Sequence, residues 1–234
     1  MRTEAEGLLR MSLKLYYHPL SSFCHKVLIA LYEAGIAFEP IFVDLGDEKS
    51  SASFRALWPI AKFPVLRDEA RNCTVPESTV IITYLGTHYA GGTRLLPADV
   101  DQAWQVQMWD RFYDHYVHHP MQKVVGDNLR PADKRDPFGV AQAKTQIDKA
   151  FDVAEAAMQS RTWAAGEDFS LADCAAAPAL FYANTVMPFT RTHKNLAAYL
   201  ARLTARASYA RVLKEAQPYF ELFPMEKKPQ LVEP

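Results

Sequence analysis

The hydrophobic period of this chain changes once, and that change limits what it can fold into. From Leu13 to Tyr89, short apolar runs alternate with helical stretches; beyond the break "AGGTRLLPADVDQ" only helical spacing remains. In the first part, "LKLYYH" reads as a strand and "SFCHKVLIALYEAG" as a helix closed by Gly35. "FEPIFVDL" is a second strand, and a polar, partly helical stretch follows around "SASFRALW". "FPVLRD" and "RNCTV" flank the polar "DEAR" as a hairpin. "PESTVIITYLGTHY" then reads as a helix with Val80, Ile81, Tyr84 and Leu85 on its apolar face. The order β-α-β, link, β-β-α makes a small α/β sandwich with helices on a mixed sheet.

Beyond the break, "DQAWQVQMWDRFYDHYV", "DPFGVAQAKTQIDKAFDVAEAAMQS", "SLADCAAAPALFYANTV" and "NLAAYLARLTARASYARVLKEA" all carry helical spacing. The expected division is a loose leader over 1–11, an α/β domain over 12–91 and a linker over 92–100. An all-helical domain over 101–224 and a tail over 225–234 complete it. Met11 is an alternative start.

Composition excludes several function classes. Formal net charge is −1 over 234 residues, with Lys and Arg spread along the chain, so no concentrated basic surface invites nucleic acid or an anionic membrane. No apolar run approaches the roughly 20 residues that span a bilayer, and "MRTEAEGLLRMSLKL" lacks the apolar core of a secretory signal. Three widely spaced cysteines, Cys24, Cys73 and Cys174, do not make a disulfide framework and fit a reducing cytoplasm.

Three segments carry candidate chemistry. "SSFCHKV" places Ser21 and Ser22 at a helix start. A serine there need only cap, yet the same unpaired N–H groups and positive dipole end stabilise a thiolate. Ser21-x-x-Cys24 is also one residue away from Cys-x-x-Cys. "KFPVL" puts Pro64 at the opening of a strand, where a cis X-Pro bond turns the chain so that Val65 can pair with a peptide ligand as a further strand. "PES" puts Glu77 and Ser78 at another helix N-terminus, a place for a carboxylate.

Together, in this order and ahead of a helical half, the segments resemble the glutathione S-transferase superfamily over about Leu13 to Phe223. That family has a thioredoxin-like first domain and a helical second domain. "SSFCHKV" is similar to its Ser-type active-site motif, "KFPVL" to its cis-proline motif, and "PESTVIITYL" to the motif that holds the γ-glutamyl end. The resemblance implies a transferase that ionises the thiol of glutathione and aims it at an electrophilic, apolar small molecule. Ser21 would donate to the thiolate, with Cys24, Ser22 and Tyr17 as competitors for that place. Lys62 would hold the glycine carboxylate, Val65 would pair with the cysteinyl backbone, and Glu77 with Ser78 would hold the γ-glutamyl end, with Phe63 and Pro64 also counted in the glutathione site.

Thiol–disulfide exchange or peroxide reduction through Cys24, and a non-catalytic glutathione-binding module, are the rival functions. The resemblance also implies a homodimer and no metal. "EDFSLADCAAAPAL" resembles the capping box that the family carries in its second domain, with Ser170 and Asp173 in a folding role.

For the second substrate, Trp109, Phe112, Tyr113 and Tyr116 fall at i, i+3, i+4 and i+7, a spacing that serves a core more often than a pocket. His115 and His119 have i, i+4 spacing, but no Cys or H-E-x-x-H pattern accompanies them, so helix-end histidines near Pro120 are read as solvated rather than as metal ligands.

Overall fold

The computed structural model describes residues 12–89 and 94–231. The expectations for the leader and for Met11 lie outside these residues. The chain divides into two compact units, Met1–Leu95 and Leu96–Pro234.

The first unit is built on a four-stranded sheet in the order β2-β1-β3-β4. β1 (Leu13–Tyr17) turns Leu13 and Leu15 into the core and leaves Lys14 half-exposed, the alternation its sequence dictates. α1 (Ser22–Glu33) follows, capped by Ser21. Gly35 ends it at φ 61, and the N–H groups of Gly35 and Ile36 return to the carbonyls of Tyr32 and Leu31 at 3.3 and 3.0 Å. That pair of bonds is a Schellman motif, and it needs a left-handed residue at Gly35.

β2 (Glu39–Phe42) runs parallel to β1. α2 (Glu48–Leu57), capped by Asp47, accounts for the polar link. β3 (Val65–Asp68) and β4 (Cys73–Pro76) form the antiparallel hairpin, and β3 pairs antiparallel with β1. α3 (Ser78–His88) completes the unit. Its buried face is Ser78, Ile81, Ile82 and Leu85; Val80, expected inside, is 52% exposed. The inward stripe is thus turned toward Ser78, which sits at the end of β4.

Asp68, fully buried at the hairpin, accepts the hydroxyls of Tyr84 (2.6 Å) and Tyr89 and the Arg71 N–H (3.0 Å). Burial alone would raise its carboxyl, but these donors hold it below the usual range.

The second unit is helical: α4 (Val100–Phe112), α5 (His119–Asp127), α6 (Pro137–Ala157), α7 (Leu171–Val186), α8 (Lys194–Ala205) and α9 (Ala207–Ala216). A π-helical segment, Tyr113–His118, joins α4 to α5. The helix expected to stop near the histidines therefore runs on, and Pro120, which lacks an N–H, stands just where the π turn passes into α5. His118 is buried, while His115 and His119 are exposed.

α7 is the core helix: every residue from Leu171 to Ala183 is buried, and its alanines let neighbours approach closely. Asp173 fixes its start. The carboxylate accepts from Ser170 N (2.8 Å), Ser170 Oγ (2.9 Å), Ala164 N (2.8 Å) and the Tyr199 hydroxyl (2.6 Å). Burial pushes its pKa up, and the donors oppose that without cancelling it. α8 is capped from another helix: Glu155 on α6 accepts from Asn195 N (3.1 Å), Asn195 Nδ2 (2.8 Å) and Leu196 N (2.7 Å).

Two predictions follow from these carboxylates. Asp173→Ala strands the Ala164 and Ser170 N–H groups and the Tyr199 hydroxyl in the core, so it should cost about 3 kcal/mol or more in urea unfolding. The exposed cap change Asp47→Ala should cost about 1 kcal/mol. Comparable losses would contradict the assignment. Glu155 titrates below its ordinary 4.5, where burial is outweighed by the Leu196 and Asn195 donors. Its contribution is therefore present above that value and lost as pH falls through the folded-state pKa. The stability gap between wild type and Glu155→Gln should narrow below about pH 4.5, as read by thermal unfolding across pH.

Candidate active site

One register row across the sheet assembles the site. Tyr16 on β1 lies opposite Val65 on β3, and Val65 lies opposite Pro76 on β4. β1 ends one residue past this row, β4 ends on it and β3 begins on it. The segments 18–22, 61–64 and 77–79 therefore leave the sheet at one edge. Side-chain contacts join them: the His18 ring stacks on Phe63 at 5.8 Å, and Lys26 Nζ on α1 donates to Thr79 Oγ1 on α3 at 2.8 Å. Lys26 is buried, so that bond ties the two helices below the site.

Ser21 sits at the α1 N-cap with extended backbone, φ −77 and ψ 115, and its Oγ accepts the Cys24 N–H at 3.3 Å. The bond uses a lone pair, so the hydroxyl hydrogen stays available to a further acceptor. Ser21 is half-buried, whereas Ser22, the first residue of α1, is buried on the inner face. That burial leaves Ser21 the better placed of the two serines to meet a ligand.

Cys24 is less accessible still. It is fully buried, and its thiol is pushed up to about 12 by that burial, against the lowering effects of Ser21 and of the His18 backbone. The helix start does not acidify a sulfur sealed away from water. Tyr17 ends β1, half-buried, its carbonyl accepting the Val43 N–H at 2.9 Å.

The Phe63–Pro64 peptide is cis. Its segment rests on a cluster of Val43, Phe54, Ala61 and Val65, with Tyr16, Leu57, Trp58 and Phe63 packed against it. Val65 is fully buried and flanked by Tyr16 and Pro76 in adjacent strands. A residue between two paired strands offers no open edge to a peptide ligand, which weighs against the expected role of Val65. Phe63, before the cis bond and outside the strand, is half-buried, and Lys62 is exposed.

Glu77 precedes α3 at φ 68 and ψ 118, a region that a residue with a β-carbon rarely enters, and its side chain makes no cap bond. Glu77 is exposed and Ser78 buried beside it.

The aromatic stripe of the second unit splits in two. Trp109 and Tyr113 are buried: Tyr113 packs near Tyr199 (6.5 Å) and the Arg161 guanidinium lies 5.1 Å from the Trp109 ring. Burial also raises the Tyr113 phenol. Both pack in the core of the unit, the use that their spacing favoured over a pocket. Phe112 is half-buried and Tyr116 is 53% exposed. They share the outer side of this helix with Trp104 and Met108, which the sequence reading missed. Spacing of four residues was the available signal, and the wider turn of the π segment brings Tyr116 back toward that side.

Among the described residues, no group of three His, Cys, Asp or Glu side chains is arranged to hold a metal, and no helix is long and apolar enough to cross a membrane.

Comparison with known proteins gives the family. The glutathione S-transferase N-terminal domain matches residues 15–93 and the glutathione S-transferase C-terminal domain residues 137–202. The chain is 35% identical to glutathione S-transferase 3 of Zea mays over 75% of its own length and 81% of that protein's. A glutathione S-transferase of Methylobacillus flagellatus KT, solved with glutathione bound, superposes with a TM-score of 0.80 at 25% identity, over 86% of this chain and 98% of that one. A second, from Methylobacterium radiotolerans JCM 2831 in complex with glutathione sulfonate, gives 0.76 at 26% identity, over 86% and 93%. The first unit is accordingly the thioredoxin-like half of the fold and the second the helical half. The chain belongs to the glutathione S-transferase superfamily and is an enzyme of that family.

Proposed function

We propose that this enzyme joins the thiolate of glutathione to an electrophilic, apolar small molecule, and that Ser21 supplies the hydrogen bond that keeps the thiol ionised. The observation that carries this reading is the orientation of the Ser21 hydroxyl bond: its oxygen accepts the Cys24 N–H, so its hydrogen is left for the incoming sulfur. A charge-assisted bond of this kind, at the positive end of α1, favours the thiolate over the thiol. The sulfur then attacks the electrophilic carbon, the new C–S bond takes the sulfur lone pair, and the displaced group leaves with its electrons.

The remaining contacts follow the charges of the tripeptide. Lys62, exposed beside the cis bond, suits the glycine carboxylate, and the Phe63 backbone suits the cysteinyl unit in place of Val65. The start of α3, where Glu77 provides no side-chain cap, suits the γ-glutamyl carboxylate, with Glu77 itself for the amine. Pro64 shapes the turn, and Ser78 anchors α3. Tyr116, Trp104 and Met108, exposed, and the half-buried Phe112 are the apolar groups of the second unit offered to an electrophile in this reading. The reading carries with it a cytoplasmic homodimer.

Thiol–disulfide exchange through Cys24 is disfavoured by its burial and by a thiol held near 12.

With a nitroaryl chloride as probe, Ser21→Ala should lower kcat by about 10- to 100-fold, the range for a lost charge-assisted hydrogen bond, while Cys24→Ala conjugates at a rate near wild type. The opposite pattern would move the chemistry to Cys24. Alkylation by iodoacetamide of the native protein at neutral pH, read by peptide mass spectrometry, should mark the half-exposed Cys73 well before the buried Cys24 and Cys174. Early labelling of Cys24 would count against its sealed, protonated state.

A further inference from the structure

Two imidazoles hold the Pro19–Leu20 peptide, one peptide before the one that joins Leu20 to Ser21. The Leu20 N–H donates to His18 Nδ1 at 3.2 Å, and the Pro19 carbonyl oxygen lies 2.5 Å from His25 Nε2. Both atoms belong to the same peptide plane. The Ser21 N–H in turn donates to the His18 carbonyl at 3.0 Å, closing a β-turn with Pro19 at its second position. The plane cannot swing without losing both imidazole bonds, and the only rotatable backbone bonds between it and the Leu20–Ser21 peptide are those of Leu20, with the Ser21 N–H held by the turn.

We propose that His18 and His25 are positioning residues: they clamp the Pro19–Leu20 peptide so that the Ser21 hydroxyl is aimed at the thiol, and protonation of His18 opens the clamp. This rests on the reading of Ser21 given above.

The chemistry of the clamp sets its direction of response. To accept from Leu20, Nδ1 must be bare, so the neutral His18 ring carries its proton on Nε2. A second proton can go only to Nδ1, where it meets the Leu20 N–H head on, and an attraction becomes a repulsion. His25 must donate to the Pro19 carbonyl, which either its neutral Nε2–H form or its charged form can do.

The surroundings of His18 favour the neutral ring. Phe63, before β3, stacks on it, and Phe42, at the end of β2, lies 5.4 Å away. Asp44, after β2, brings the charge that favours protonation; His25 stands across the clamped peptide, and Lys62, beside Phe63, is exposed. Burial outweighs Asp44 and holds His18 below its ordinary 6.5. The clamp is therefore shut at neutral pH and opens on the acid side.

The test has one readout apart from activity. In 1H–15N spectra of the ligand-free protein, the Leu20 amide should titrate with the His18 ring at a shared midpoint below 6.5; an amide that does not follow the ring overturns the clamp. At saturating glutathione, log kcat/KM for the nitroaryl chloride should fall toward acid with the slope of about 1 of the bound thiolate, and protonation of His18 should add a further drop of about tenfold that lifts the slope above 1 around the His18 midpoint. His18→Leu should lose about tenfold on the alkaline plateau. His18→Asn, whose oxygen accepts the amide two residues on but does not titrate, should recover most of that loss and keep the slope at about 1 throughout. A wild-type slope that stays at about 1 through the His18 midpoint, or a slope unchanged in His18→Asn, overturns the proposal. Ser21→Ala separates the two levels, with the bound thiolate followed by its ultraviolet absorbance. If the thiolate survives in Ser21→Ala, the reading of Ser21 fails and takes the proposal with it. If Ser21→Ala loses the thiolate while both His18 variants keep wild-type rates and slopes, the proposal alone fails.

Discussion

The site of the first unit depends on the register between three strands. Tyr16, Val65 and Pro76 share one row, which fixes where β1 and β4 end relative to where β3 begins. A slip of one residue in β3 would turn Leu66 and Val65 to opposite faces. It would also carry the cis Phe63–Pro64 bond away from the turn at His18. The buried cluster of Val43, Phe54, Ala61 and Val65 is what resists such a slip, because an inverted strand would strip that cluster of its central side chain. Packing beneath the sheet therefore specifies the geometry at its edge.

On that edge, a capping residue and a proposed catalytic residue are the same serine, and the two uses do not compete. Capping consumes an acceptor site on Ser21 Oγ, and thiolate binding would consume the donor. Cys24, one turn further on, shows what burial does to the same chemistry: the positive helix end is close, yet desolvation outweighs it and the thiol is held near 12. Position on a helix is thus insufficient to make a nucleophile. Access to water separates the serine that can act on a ligand from the cysteine that packs.

Much of this was legible in the sequence because it rests on local rules. Gly35 stops α1, Ser21 starts it, Asp173 caps α7, and Pro64 precedes a strand, each through the conformational limits of one residue. What was not legible depended on distant partners. Val65 was expected to face a ligand, and only the neighbours β1 and β4 show that it has no free edge. Trp109 and Tyr113 share a helical face with Phe112 by simple counting, but packing against the core separates them. The π segment then shifts the phase of everything after Phe112. His18 and His25 are seven residues apart, and nothing in their spacing says that one peptide lies between them.

The starts of the helices show how the fold divides its acceptors between structure and ligand. α1 takes Ser21, α2 takes Asp47, α7 takes Asp173, and α8 borrows Glu155 from α6. α3 differs from α1 and α2 in drawing no cap bond from its own N-cap side chain, although that residue is a glutamate well able to accept. Glu77 instead stands at φ 68, a conformation that costs energy for any residue with a β-carbon. Strain of that kind persists where the surrounding structure overdetermines it, here between the end of β4 and the buried Ser78. A helix end kept clear of its own glutamate, beside the turn that presents Ser21, is better matched to an acceptor brought by a ligand than to one supplied by the chain.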